Sequence, residues 1–146
     1  MDGAMLRQSV ALVALCVGAT FASAFEAMAP LKVVPLLATT KTWEGAPIVY
    51  PQGQLEISGL IIELAPGAET GWHSHPVPSF AFILEGTLEV QLKDGRSKRL
   101  QAGEALVEVI GTLHNGTAIG AVPLKLVVFY AGAVGQNLTV PAASSP

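Results

Sequence analysis

Residues 67–86 read GAETGWHSHPVPSFAFILEG and contain two of the three histidines of the protein, His73 and His75. Side chains that lie two apart on a β-strand point to the same face, so these imidazoles are expected to lie side by side. The run from Ser79 to Glu85 is apolar and ends at Gly86, which is typical of a strand that ends in a turn. The stretch therefore predicts a β-fold with a pair of imidazoles on one face.

The sequence on both sides of this stretch also predicts strands separated by turns. Residues 87–93 alternate between polar and apolar side chains and should turn Leu88, Val90 and Leu92 inward. Asp94-Gly95 is the strongest hairpin signal in the chain. Further strands are expected at 55–64, 96–100, 105–110 and 123–130. Short strands bounded by Gly and Pro predict an all-β sandwich or barrel.

The composition limits the class of protein. Hydrophobic residues make up 51% of the 146 residues and charged residues 13%, which argues against extended disorder and fits one domain. The formal net charge is −3, so no basic surface is expected and no nucleic-acid partner is predicted. Cys16 is the only cysteine, which excludes an internal disulfide and a thiolate zinc cluster.

Residues 1–24 are predicted to be a secretory signal peptide. Arg7 precedes the apolar run 10–19, and Ala22-Ser23-Ala24 is a small-residue cleavage site. A membrane anchor is the alternative, but the run is shorter than the roughly 20 residues that a span needs. We therefore expect an exported protein, periplasmic or secreted, with no stable membrane span after processing.

Two other ways of processing the leader remain open. A lipoprotein signal would end at Cys16, although the preceding Leu15 is bulky for that kind of processing. A later cut after Ala29 would place Pro30 directly after the bond, which argues against it. Cleavage after residue 24 leaves a single domain over residues 25–140 and a flexible tail over 141–146.

The third histidine, His114, follows His75 by 39 residues and lies near another predicted β-segment. Neutral imidazoles are the commonest metal ligands in proteins, and two of them at this spacing on a strand form half of a site without strain. A chance pair on a solvated face is the alternative.

The first motif resembles that of the cupin superfamily, in which a Gly is followed by five residues, His-x-His, three or four residues, Glu, six residues and Gly. Here Gly67 is followed at the same spacing by His73, His75, Ser79 and Gly86. The resemblance implies an all-β double-stranded β-helix, a jelly-roll barrel.

The second motif of that family runs Gly, five residues, Pro-x-Gly, two residues, His, three residues and Asn. This chain has Gly103, Val109-Ile110-Gly111, His114 and Ala118 at those positions, so the resemblance covers about residues 55–130. Ser79 replaces the family's glutamate ligand, and Val109 and Ala118 replace its proline and asparagine.

The resemblance implies that His73, His75 and His114 hold one divalent metal ion, which could be Fe, Mn, Zn, Ni or Cu. Three neutral imidazoles leave the 2+ charge uncompensated, which favours anionic ligands at the open positions. Two function classes follow: a metal-dependent dioxygenase, isomerase or lyase acting on a small molecule, or a non-catalytic module that binds a small molecule or metal.

Four further polar residues are candidates for the pocket. Glu108 lies in an apolar run and is either solvated or a pocket acid with a raised pKa, which makes it the candidate catalytic residue. Ser79, Glu69 and Tyr130 are candidates for substrate binding. Glu69 could instead be a solvated rim residue, and Tyr130 could simply satisfy a buried hydrogen bond.

Strand alternation also predicts a homodimer. If Ser79 shares the face of the histidines, Phe80, Phe82 and Leu84 point outward, where a solvated sheet should carry polar groups. The predicted strand at 123–130 is likewise apolar on both faces. A second copy would cover these side chains, and the segment Leu31 to Leu37 is the alternative cover within one chain.

Overall fold

The computed structural model describes residues 31–143. The predicted signal peptide, with Cys16, and the last three residues lie outside the described part. The chain divides into two units between Val34 and Pro35, and the four described residues of the first unit have no regular secondary structure. The second unit, from Pro35 onward, contains the strands.

The described residues contain nine β-strands and no helix, so the predicted all-β class is confirmed, and none of them forms a helix able to cross a membrane. The strands are β1 (Leu55–Leu64), β2 (His73–Ser74), β3 (Ser79–Glu85), β4 (Thr87–Leu92), β5 (Ser97–Gln101), β6 (Ala105–Val107), β7 (His114–Ile119), β8 (Leu124–Ala133) and β9 (Val140–Pro141).

The strands form two antiparallel sheets. One has the order β1-β8-β3-β6 and the other the order β5-β4-β7-β2-β9. Consecutive strands β3 and β4 belong to different sheets, and only β4 and β5 form a hairpin between neighbours in sequence. Crossing between sheets in this way is typical of a jelly roll, in which two sheets face each other across one core.

The core lies between the two sheets and follows the predicted alternation. Leu88, Val90 and Leu92 are buried on β4, and Ala81 and Ile83 are buried on β3. A single cluster of buried side chains joins residues from both sheets. The barrel interior is therefore apolar along most of its length, and polar side chains inside it stand out.

Two predicted boundaries differ in the structure. The segment predicted at 105–110 forms a strand only to Val107, and the backbone N–H of Glu108 still donates to the carbonyl of Ser79 at 3.0 Å. Pro141 belongs to β9, and the N–H of Ala142 donates to the carbonyl of Trp72 at 2.8 Å. Pro141 and Ala142 were assigned from the sequence to a flexible tail, but they are part of the fold.

The outer face of the β1-β8-β3-β6 sheet carries apolar side chains that are partly exposed. Phe129 is 50% exposed, and Ile57 and Ile61 on the edge strand β1 are 66% and 64% exposed. Phe80 and Phe82 are half-buried and point away from the interior, as the alternation of β3 predicts. This face is therefore apolar over three adjacent strands.

The segment Leu31 to Leu37 was the alternative cover for this face within one chain, but its leucine side chains are themselves exposed. Leu36 and Leu37, the leucines of that segment in the second unit, are 56% and 47% exposed.

Candidate metal centre

The three histidines meet at one end of the β5-β4-β7-β2-β9 sheet. His73 opens β2 and pairs directly with His114, the first residue of β7, while His75 follows the end of β2. Their ring centroids lie 4.3 to 4.9 Å apart. One nitrogen of each ring lies within 4.8 Å of the others. The structure thus brings together the three residues that the sequence assigned to a metal.

Backbone carbonyls fix the orientation of all three imidazoles. Because a carbonyl only accepts hydrogen bonds, each Nδ1 must carry the proton, and each neutral ring then keeps its lone pair on Nε2. The acceptors are Gly71 for His73 at 2.7 Å, Leu138 for His75 at 2.9 Å and Thr112 for His114 at 2.9 Å. This is the outer-shell arrangement that orients histidine ligands toward a metal.

Burial keeps two of the rings neutral. It lowers the pKa of both His75 and His114 to about 4, because the protonated forms lose their hydration. Metal ions bind the neutral form, so these two residues need not release a proton near neutral pH. The donor set fits a divalent ion. Small side-chain rotations would close the nitrogens to the spacing of about 3.0–3.4 Å that ligand bonds of about 2.1 Å require.

Glu108 contributes a buried carboxyl group beside this cluster. It follows β6, is 7% exposed, and its Oε2 lies 3.2 Å from Nε2 of His114. Oε2 has no hydrogen-bond partner, and burial raises the pKa of Glu108 to about 7. Of the two interpretations left open by the sequence, the structure therefore places Glu108 in the pocket and not in solvent.

Ser79 and Tyr130 lie in a row with Glu108 across the inner face of their sheet. Ser79 pairs with Tyr130 on β8, and on its other side it accepts the backbone hydrogen bond from Glu108. The Ser79 side chain is fully buried, and its Oγ has no hydrogen-bond partner. The Tyr130 ring lies 5.2 Å from that of His75, and burial raises its pKa. Tyr130 lines both cavities beside the imidazoles, whereas Ser79 lines neither and lies next to Glu108.

Glu69 has a different place from the other candidates. Its side chain is exposed, and its carboxylate accepts a hydrogen bond of 2.8 Å from Nδ2 of Asn115. The Thr70 hydroxyl donates to Oδ1 of the same amide at 3.3 Å and accepts the Gly116 N–H at 2.9 Å. Glu69 thus lies at the rim of the site, where it helps to hold the segment before His73 against β7.

Sequence reasoning missed Thr70 and Asn115, which link the segment before His73 to β7. The Thr70 hydroxyl also lies 3.5 Å from Nδ1 of His73. Asn115 is only 3% exposed. The signal in the sequence was that Asn115 directly follows His114. The stretch is polar, so alternation alone does not show which face of the strand Asn115 occupies.

Two cavities adjoin the imidazoles. The inner one has a volume of about 60 Å³ and lies among aliphatic side chains inside the barrel. The outer one has a volume of about 400 Å³. His73, His75 and Tyr130 line both cavities, so these two imidazoles lie where the cavities meet. Apolar side chains lining the outer cavity are Leu60, Ile62, Trp72 and Pro141.

Comparison with known proteins agrees with this architecture. A family model described as a cupin domain matches residues 60–130, just under half of the chain, and solved structures match as well. The chain has a cupin fold. A comparison with curated proteins found no match.

Three solved structures illustrate the likeness. The polyketide cyclase RemF from Streptomyces resistomycificus is 20% identical, with a TM-score of 0.52, over 64% of this chain and 64% of that one. The DMSP lyase DddQ from Ruegeria pomeroyi is 22% identical, with a TM-score of 0.51, over 67% of this chain and 47% of that one. An oxalate oxidase in complex with the substrate analogue glycolate is 25% identical, with a TM-score of 0.50, over 57% of this chain. The matched part of this chain spans 45% of the oxalate oxidase chain.

Proposed function

We propose that this cupin binds one divalent metal ion through His73, His75 and His114 and acts on a small anionic molecule. The observation that carries the proposal is the orientation of the three rings. Each Nδ1 is bound to a backbone carbonyl, so the three Nε2 lone pairs are left for one common ion. A bound divalent ion would supply Lewis acidity and, if it is Fe or Mn, access to redox chemistry.

The outer cavity supports a small-molecule ligand. Its volume of about 400 Å³ falls within the range usual for ligand sites, whereas the inner cavity of about 60 Å³ has room only for a few waters. An apolar part of the ligand would pack against Ile62 and Trp72, while its charged end reaches the imidazoles. Lys93 Nζ lies 3.6 Å from the centre of the Trp72 ring and adds a positive charge at the rim.

The structural neighbours are described as catalysing different reactions, so they do not indicate which reaction this chain would catalyse. By their descriptions they are an oxidase, a lyase and a cyclase. The oxidase binds glycolate as a substrate analogue, which is a small acid of the kind that an uncompensated cationic centre would favour. A dioxygenase, isomerase or lyase acting on a small carboxylate is the activity that we propose for this protein.

A turnover assay separates an enzyme from a binding module. Metal-free protein would be reloaded with Fe, Mn, Zn, Ni or Cu in turn and incubated with a panel of small mono- and dicarboxylates under air and under nitrogen. We expect metal-dependent consumption of at least one acid by the wild type and none by His114→Ala. Stoichiometric metal with saturable binding of an acid and no turnover would instead indicate the non-catalytic module.

Export and pairing are part of the proposal. Residues 1–24 would direct the protein to the periplasm or the medium, and two copies would cover the apolar outer face of the β1-β8-β3-β6 sheet. The support for pairing is the exposure of Ile57, Ile61 and Phe129 on that face.

A further inference from the structure

The family pattern to which this chain is similar places a glutamate ligand at the position of Ser79. Serine has a hydroxyl group and no carboxylate, so position 79 cannot supply this ligand. The next strand supplies one instead, because Glu108 lies beside Ser79 on the inner face of the same sheet. Their backbones are joined by the 3.0 Å hydrogen bond from Glu108 N–H to the Ser79 carbonyl.

We propose that Glu108 is the fourth protein ligand of the metal and that the carboxylate has moved from position 79 on β3 to the adjacent strand segment. This inference rests on the proposed function, because it assumes an ion at the three histidines. It assigns a ligand to a residue that the family pattern leaves unassigned.

The distance between the donor atoms supports a shared ion. Two ligand atoms that are each about 2.1 Å from one ion lie about 3.0 Å apart at a right angle and about 3.4 Å apart at a tetrahedral angle. Oε2 of Glu108 lies 3.2 Å from Nε2 of His114, between these two values. A carboxylate bound to the same ion as this imidazole would have this separation.

The surroundings of Glu108 leave its carboxyl group free to bind. A buried polar atom is normally hydrogen-bonded, but Oε2 of Glu108 and Oγ of Ser79 have no such partner. Glu108 lies outside the cluster of the three histidines, whose ligand atoms all lie within 4.8 Å of one another, so its carboxyl group must rotate toward them. No hydrogen bond of Oε2 has to break for this rotation.

The fourth ligand also changes the charge of the site. Three neutral imidazoles leave two positive charges on the ion, and an ionised Glu108 reduces the total to one. A site of this charge would hold a single carboxylate of the substrate in its remaining positions.

Metal binding by three variants tests the assignment without any assay of turnover. Dissociation constants for Mn²⁺ and Co²⁺ would be measured on the mature chain by competition with a chelating dye, together with the visible absorption of the Co²⁺ form. Glu108→Gln should weaken binding by at least about tenfold, and the Co²⁺ spectrum should change because one ligand is replaced. Glu108→Gln combined with Ser79→Glu should restore much of the affinity, because the carboxylate returns to the family position.

Glu104→Gln is the matched control. Glu104 is exposed, and its Oε2 accepts the Gln101 N–H at 2.6 Å, a bond that an amide oxygen can also accept. This variant should bind both ions like the wild type. Thermal melts of the metal-free proteins would show that Glu108→Gln is folded.

Two results would overturn the assignment. One is a Glu108→Gln variant that binds as tightly as the wild type. The other is weaker binding with an unchanged Co²⁺ spectrum, which would mean that Glu108 acts only through His114. If the wild type itself binds neither ion, the proposed function fails, and that outcome is distinct from both.

Discussion

Single residues decide the protonation of the site, and the structure shows two opposite effects of burial there. His75 and His114 lose proton affinity, whereas Glu108 gains it. In the metal-free protein near pH 6, the 3.2 Å contact between Glu108 and His114 therefore joins two neutral groups and is not an ion pair. This contact should add little stability of its own.

The stability of the metal-free protein should fall as the pH falls from about 6.5 to 4.5. In this window the unfolded chain protonates His75 and His114, while the folded chain protonates only Glu108. Unfolding therefore takes up two protons and releases one, a net uptake of one. The free energy of unfolding should decrease by about 1.4 kcal/mol per pH unit from these groups.

Glu108→Gln should make this dependence steeper. Without the carboxyl group nothing offsets the two histidines, and the slope from these groups should rise to about 2.7 kcal/mol per pH unit. Urea unfolding at several pH values, with Glu104→Gln as the control, measures both slopes. Equal slopes for Glu108→Gln and the wild type would show that Glu108 does not bind a proton in the fold.

At the level of elements, the turn between β3 and β4 carries the chain from one sheet to the other. Gly86 forms this turn with φ of 76°, and a Cβ placed on it would lie 2.5 Å from the carbonyl oxygen of Pro123. Gly95 in the β4–β5 hairpin has φ of 90° with nothing within 4 Å of such a Cβ. The two glycines share a backbone conformation and differ in the space around them.

Substitution by alanine should separate these two effects. Gly95→Ala should cost about 1–2 kcal/mol of unfolding free energy, since only the left-handed conformation is penalised. Gly86→Ala should cost roughly 2–5 kcal/mol, because a clash with backbone adds to that penalty. Denaturant unfolding of both variants tests this, and equal losses would contradict the close approach of Pro123 to the turn.

The same elements show what the sequence could predict. Alternation of apolar residues placed the interior of β3 and β4, and the spacing of the histidines indicated the ligands that meet across β2 and β7. The position of Glu108 could not be predicted, because a lone acid in an apolar run gives no signal of which face it occupies. Asn115 was missed since its partners, Glu69 and Thr70, lie about 45 residues away in sequence.

At the level of the whole molecule, the apolar outer face of one sheet is the feature that the isolated barrel does not explain. Phe82→Glu would place a charge in the middle of this face, beside Val127 of β8. We expect the wild type to be a dimer in size-exclusion chromatography with light scattering, and the variant to be a monomer or insoluble.

Val122→Glu is the control for this prediction. Val122 is 56% exposed in the turn before β8, away from the paired strands, so a charge there should leave the dimer intact. A wild type that is monomeric at micromolar concentration would contradict pairing through this face.

Metal content is the direct test of an ion shared by the three histidines. The mature protein would be stripped with a chelator, reloaded with a divalent ion, freed of excess by gel filtration and analysed by mass spectrometry beside His75→Ala treated in the same way. We expect about one ion per chain for the wild type and a clear loss in the variant, because His75→Ala removes one of the three imidazoles that meet at the site. Equal metal content in the two proteins, or none in the wild type, would contradict it.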